Sequence, residues 1–156
     1  MPGIAQGMAL ADSLPPQDRK QYIAGQLQAW RILRLYCQFT HPPKEKFLFL
    51  IDTASDLRFF VISSGISKLI ESQPRMRGTQ VPIDAASHPC LSYDSIADCS
   101  RTYAITREDA EQQLMADLSR IKDLASTALR PLVIEAVQAN PRMTEREKRE
   151  ILRCLT

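Results

Sequence analysis

The stretch HPPKEKFLFLIDTASDLRFFVISS, residues 41–64, decides how this chain is read. Its two apolar runs, FLFLI (47–51) and LRFFVI (57–62), each have the length of a buried strand. The polar connection DTASD (52–56) joins them as a hairpin. A stiff cationic approach, His41-Pro42-Pro43-Lys44-Glu45-Lys46, enters the hairpin, and Ser63-Ser64-Gly65 leaves it. Such a unit is either a core with ordinary edges or a core that presents a site.

Upstream, Leu33, Leu35, Cys37 and Phe39 alternate with Ile32, Arg34, Tyr36, Gln38 and Thr40. That period of two with one apolar face predicts a half-buried strand, stopped by Pro42-Pro43. Pro15-Pro16 followed by Asp18 has the composition of a helix start. The predicted helix, 17–29, turns Tyr22, Ile23, Leu27 and Trp30 toward the body. Residues 1–14 show little periodicity and read as a flexible N-terminal arm.

Downstream of the hairpin, 66–70 reads as a short helix and 73–78 as a basic loop carrying Arg75 and Arg77. Residues 79–83 read as an edge strand, because Pro82 has no N–H for a ladder. Residues 90–93 read as a brief pairing segment, and 96–105 as a last strand of mixed facing. Five or six short strands with polar turns predict an α+β chain with a mainly β core, a small antiparallel SH3-like barrel. At Thr106 the period changes. A capping box and the stripe Ala110, Leu114, Leu118, Ile121, Ala125, Leu129 predict one amphipathic helix over 107–129. Pro131 is expected to break it, with a second helix over 132–139. Thr144 and Glu147 predict a capping box for a final helix with Ile151, Leu152 and Leu155 inward. The organisation is thus an arm (1–14), a barrel with its preceding helix (15–106) and a helical extension (107–156) packed on the barrel or forming an interface.

Composition narrows the function. The chain has 156 residues, 44% of them apolar, enough for a real core, and a net charge of only +2. No run reaches membrane-spanning length, and the N-terminus lacks a basic n-region with an apolar h-region, so a cytoplasmic protein without membrane association is expected. The four cysteines form no CxxC pair, and the two histidines are not at ligand spacing. Reduced thiols follow. A zinc site from His88, Cys90 and Cys99 has no spacing support, and no metal or cofactor is expected. Five glycines and no Walker, GxSxG or HExxH pattern disfavour nucleotide-loop, serine-hydrolase and zincin chemistry.

The order of features carries a resemblance. A strand and basic loop lead into KEKFLFLI; FFVISS and VPI follow; then LSYDSI and SRTYAI run into a helix. Residues 32 to 118 resemble the PemK/MazF family of plasmid-maintenance and growth-inhibitor toxins. The resemblance implies an SH3-like barrel, metal-free cleavage of single-stranded RNA, a homodimer and neutralisation by an antitoxin. Such an endoribonuclease needs a base for the ribose 2′-hydroxyl, a cation for the phosphorane and a donor near the phosphate. Lys46 stands where the family begins its second strand with arginine, and Ser63 where it ends its third strand with threonine. Lys46 is then the charge stabiliser, His41 or Asp98 the acid/base, and Ser63 the group that orients the phosphate. Lys44, Ser64, Arg75 and Arg77 are the further candidates for RNA contact.

Each candidate has a structural alternative. His41 before two prolines is also a turn residue. Lys44 and Lys46 also suit gatekeepers on the edge of an apolar strand. Ser63 and Ser64 before Gly65 also suit a turn, Arg75 and Arg77 a solvated loop, and Asp94-Ser95 a turn with side-chain-to-backbone bonds. If all these alternatives hold, the chain is a non-catalytic barrel serving as a protein-interaction or assembly module, with a protein partner on its helical extension.

Overall fold

A computed structural model describes residues 13–156; residues 1–12, most of the arm expected at 1–14, lie outside the described residues. Three strands follow one another as a meander: β1 (Arg31–Cys37), β2 (Lys44–Asp52) and β3 (Leu57–Ser63). β4 (Gln80–Ile83), β5 (Ser95–Ile105) and β6 (Ile121–Leu124) complete one antiparallel sheet in the order β4-β5-β3-β2-β1-β6. The sheet curls as a half-barrel, in agreement with the expected α+β, barrel-like class. It remains open, since its outer strands, β4 and β6, do not pair with each other.

Alternation distributes the side chains over two cores. Leu33, Leu35, Leu48, Leu50, Phe59 and Val61 fill one face of the sheet. They are covered by α1 (Pro16–Gln26), through Ile23, and by α3 (Arg107–Ala116), through Ala110 and Leu114. Ile32, Phe49, Ile51, Phe60, Ile62 and Ala97 fill the other face. Its cover is α4 (Leu129–Gln138), through Val133, Ala136 and Val137, and α5 (Glu145–Leu155), through Ile151 and Leu155. Burial on both faces is why β2 and β3 read as unbroken apolar runs rather than alternating ones. Each fully buried Leu, Ile, Val or Phe among them stabilises the fold by about 1.5–3 kcal/mol.

The helical extension is docked on the sheet. Trp30 ties the two together: its Nε1 donates to the Leu155 carbonyl at 3.2 Å and its ring stacks on Phe49 at 5.9 Å. Its backbone takes φ 73°, in the left-handed region that side chains disfavour. Held there, its N–H bonds to Leu50 and its carbonyl receives the Ala125 N–H.

The single helix expected over 107–129 is not formed. α3 stops at Ala116, a 3-10 turn spans Leu118–Arg120, and β6 pairs with β1 through Arg31↔Leu124 and Leu33↔Ile121. Asp117 ends the helix, accepting both the backbone N–H (3.0 Å) and the hydroxyl of Ser119, a local bond that competes with helix continuation. The open edge of β1 supplies the remaining backbone partners, and Arg31 donates to the Lys122 carbonyl at 2.9 Å. The apolar stripe itself is buried as its spacing implies, but it is shared between the faces. Ala110, Leu114, Leu118 and Ile121 enter one core; Ala125 and Leu129 enter the other. Pro131 sits in the first turn of α4 and breaks nothing, because the N–H it lacks has no helical acceptor there.

Other differences are smaller. α2 (Lys68–Glu71) buries Ile70 but leaves Ile66 and Leu69 exposed. The expected basic loop is a 3-10 helix, Pro74–Thr79, with Met76 buried beneath it. Residues 90–93 form turns rather than a strand. β4 lies at an edge with Pro82 exposed, and the Thr144–Glu147 capping box is present.

Candidate functional site

Along β2, positions 50, 48, 46 and 44 share the face covered by α1 and α3, and read Leu, Leu, Lys, Lys. Along β3, positions 59, 61 and 63 read Phe, Val, Ser on the same face. The apolar core therefore gives way, at one end of the two strands, to Lys44, Lys46 and Ser63. The 37–44 connection folds over this end and brings Phe39, Thr40 and His41 beside it. Thr40 fixes that connection: its hydroxyl accepts the Lys44 N–H at 2.9 Å and lies 2.9 Å from the Pro42 carbonyl it donates to.

β5 closes the site through an irregularity. Asp98 stands opposite Val61 and Tyr103 opposite Phe59, so residues 99–102 bulge opposite Phe60 alone. Strict alternation would send residues five apart to opposite faces; the bulge returns Asp98 and Tyr103 to the same one. The result is a groove of about 280 Å³ lined by His41, Lys44, Lys46, Ser63, Asp98, Phe39, Thr40 and Tyr103. Four residues picked from the sequence as chemically active, Lys46, Ser63, His41 and Asp98, thus meet in one concavity, and Lys44 joins them.

The electrostatics are uneven. Burial, reinforced by the neighbouring Lys44 charge, lowers the pKa of Lys46 below that of an ordinary lysine. Beneath it, burial raises the Cys37 thiol to about 11, so Cys37 is a neutral thiol at physiological pH. Glu45, between the two lysines, does not neutralise them: Arg34, at 2.9 Å, and Arg120 hold its carboxylate. β2 lies between β1 and β3, but its pairing with β3 begins at Phe47↔Ile62, so Lys44 and Lys46 are paired on the β1 side alone. Asp98 is fixed, with Oδ1 accepting from Gln80 Nε2 at 2.8 Å and from the Ser100 N–H at 3.0 Å. His41 is exposed on the connection.

One wall is aromatic. Phe39 and Tyr103 stack with centroids 4.2 Å apart, and the Arg101 guanidinium lies 4.4 Å from the centre of the Tyr103 ring. The sequence alone does not mark these as site residues. Phe39 reads there as a core position, and Tyr103 sits in a strand whose facing depends on the bulge.

Three sequence-derived candidates lie elsewhere. Ser64 is exposed and lines a neighbouring cavity of about 60 Å³ with Phe47, Leu91 and Tyr93, which meets the groove at Ser63. Arg75 and Arg77 are exposed on the 3-10 helix over Met76 and do not line the groove. The zinc constellation does not form. His88 is buried, with Nδ1 2.9 Å from the Asp84 carbonyl and Nε2 accepting the Ser126 N–H at 3.0 Å. Among the described residues, no group of three or more His, Cys, Asp and Glu is placed to hold a metal ion. Among the same residues, no helix is long and apolar enough to cross a membrane. Comparison with protein-family models and with curated protein sequences gives no match to this chain.

Proposed function

We propose that this protein binds single-stranded RNA in the groove between the 37–44 connection, β2, β3 and β5, and cleaves it without a metal, as a PemK/MazF-like toxin. One observation carries the reading: cationic, proton-transferring and hydroxyl groups converge beside a stacked aromatic pair in one concavity. Cations hold the phosphates of single-stranded nucleic acid and aromatic side chains pack against unpaired bases; with Phe39 and Arg101 on its two faces, Tyr103 offers a base its ring edge.

In the proposed reaction the ribose 2′-oxygen attacks the adjacent phosphorus. The P–O2′ bond forms and the P–O5′ bond breaks, leaving a cyclic phosphate and a 5′-hydroxyl. His41, exposed and on a connection rather than a strand, takes the 2′-proton and returns one to the leaving oxygen. Lys46 stabilises the charge of the phosphorane. Ser63 donates to a phosphate oxygen and orients it. Asp98, already bound by Gln80 and Ser100, is the fixed acceptor that positions the imidazole or the ribose.

The test is incubation of purified protein with mixed-sequence RNA in the presence of a chelator. Cleavage to 5′-hydroxyl products, lost in Lys46→Ala and His41→Ala, is expected. RNA left intact by wild type sinks the catalytic reading. A protein-interaction module is the second reading, favoured by Leu69 on α2 and Tyr93 in the β4–β5 connection, 63% and 59% exposed. Co-purification with a protein partner and harmless expression would support it.

A further inference from the structure

A second concavity, about 340 Å³, lies on the other face of the sheet, against α5. Its walls carry three guanidinium groups, Arg58, Arg101 and Arg142, the hydroxyl residues Ser100 and Thr102, and one carboxylate, Glu147. Arg101 and Arg142 are exposed. Arg58 is loosely held, with its guanidinium 3.3 Å from the Thr102 hydroxyl and 4.0 Å from Glu150. Glu147 is engaged in the α5 capping box with Thr144. Planar guanidinium forks beside hydroxyl donors match the geometry of phosphate oxygens.

The two concavities share a boundary. The β4–β5 ladder ends at Gln80↔Asp98 and Asn140 takes the Cys99 and Ser100 carbonyls, so residues 101–105 of β5 have no strand partner along that edge. The groove lies on one side of this edge and the arginine cavity on the other. Arg101 joins them: it lines the cavity, and its guanidinium packs over Tyr103 of the groove. The bulge that brings Asp98 and Tyr103 together is also what presents Ser100, Arg101 and Thr102 to the cavity.

We infer that an RNA strand held in the groove continues round the free edge of β5 and seats further phosphates in the Arg58–Arg101–Arg142 cavity. This rests on the RNA reading above and adds to it a second, purely electrostatic subsite, with Arg101 at the crossing. Such a subsite lengthens the bound strand without adding base specificity.

The test compares two single-stranded RNAs by fluorescence anisotropy at several salt concentrations, about 4 and about 12 nucleotides long, within the range of single-strand site sizes. Arg142→Ala is expected to weaken the long strand about fivefold or more. It should also flatten its salt dependence by about 0.7 in log–log slope for each phosphate that the variant no longer neutralises. The short strand should bind Arg142→Ala as it binds wild type. Arg58→Gln is the second variant and should act in the same sense, with thermal melting to show that both variants fold. If wild type binds both strands and neither variant changes the long one, the RNA reading stands and the extended path is overturned. Equal weakening of both strands overturns it too. If wild type binds neither strand, the RNA reading falls and the inference falls with it.

Discussion

Asp98 and Tyr103 face the same groove although they stand five positions apart on one strand. The bulge over 99–102 makes this possible, and it is anchored from below. Asn140, fully buried, donates from Nδ2 to the Cys99 carbonyl at 3.0 Å and to the Ser100 carbonyl at 3.1 Å. Its Oδ1 accepts the Arg142 and Met143 N–H groups at 2.8 and 3.2 Å. One side chain thus joins the bulge to the α4–α5 connection.

Asn140→Ala strips partners from two carbonyls and two N–H groups. At about 1–3 kcal/mol for an unsatisfied buried group, partly relieved by water, the expected loss is about 3 kcal/mol. Asn140→Asp should also destabilise, because a carboxylate cannot donate to the two carbonyls. Urea denaturation measures both; a loss below about 1 kcal/mol in each would show that the bulge stands without its anchor.

Tyr103→Ala removes the ring that stacks on Phe39 and carries Arg101. RNA affinity should fall by roughly 1 kcal/mol, about fivefold, because the ring meets a base by its edge and holds Arg101 in place, while Tyr103→Phe, which keeps the ring, should bind nearly as wild type. Fluorescence anisotropy decides. Equal losses in both variants would assign the effect to the hydroxyl and not to the ring.

Lys46 gives a pH signature. Burial and Lys44 both disfavour its ammonium, so it loses its proton at a lower pH than an exposed lysine. RNA binding should therefore weaken on the alkaline side in wild type at a pH where Lys46→Arg, always charged, still binds. Stability moves the other way. Between the lowered folded value and the ordinary unfolded one, the unfolded chain holds more protons, so this group's contribution makes the fold more stable as pH rises. Binding curves for the two proteins that weaken at the same pH would remove Lys46 from the site.

The thiols should divide by burial. Cys37 and Cys99 are buried, and burial raises both thiols, Cys37 to about 11. Neither should react with an aromatic disulfide reagent in the native protein at pH 8. Cys90 and Cys154 are half-buried and raised to a lesser degree, so they should react slowly. Mass spectrometry of the labelled native protein locates the sites; fast modification of Cys37 would mean that the core beneath α1 and α3 opens.

Local pattern alone determined the hairpin over residues 41–64, the β1 alternation, the edge position of the Pro82 strand and the capped final helix. Each follows from neighbours a few residues apart: runs of apolar side chains, a proline, a Thr–Glu pair. It also placed Ser63 at a strand end, because strand length and turn chemistry are local; Lys46, read there as the start of β2, lies two residues inside it. Tertiary structure decided the rest. The stripe from Ala110 to Leu129 has helical spacing and is buried throughout, yet its middle is a strand, because β1 offered an open edge and Asp117 ended the helix. Phe39, Tyr103 and Asp98 meet only because a bulge held by a distant asparagine shifts the phase of β5. Residue spacing encodes which side chains are buried; which face they share depends on backbone partners far away in the chain.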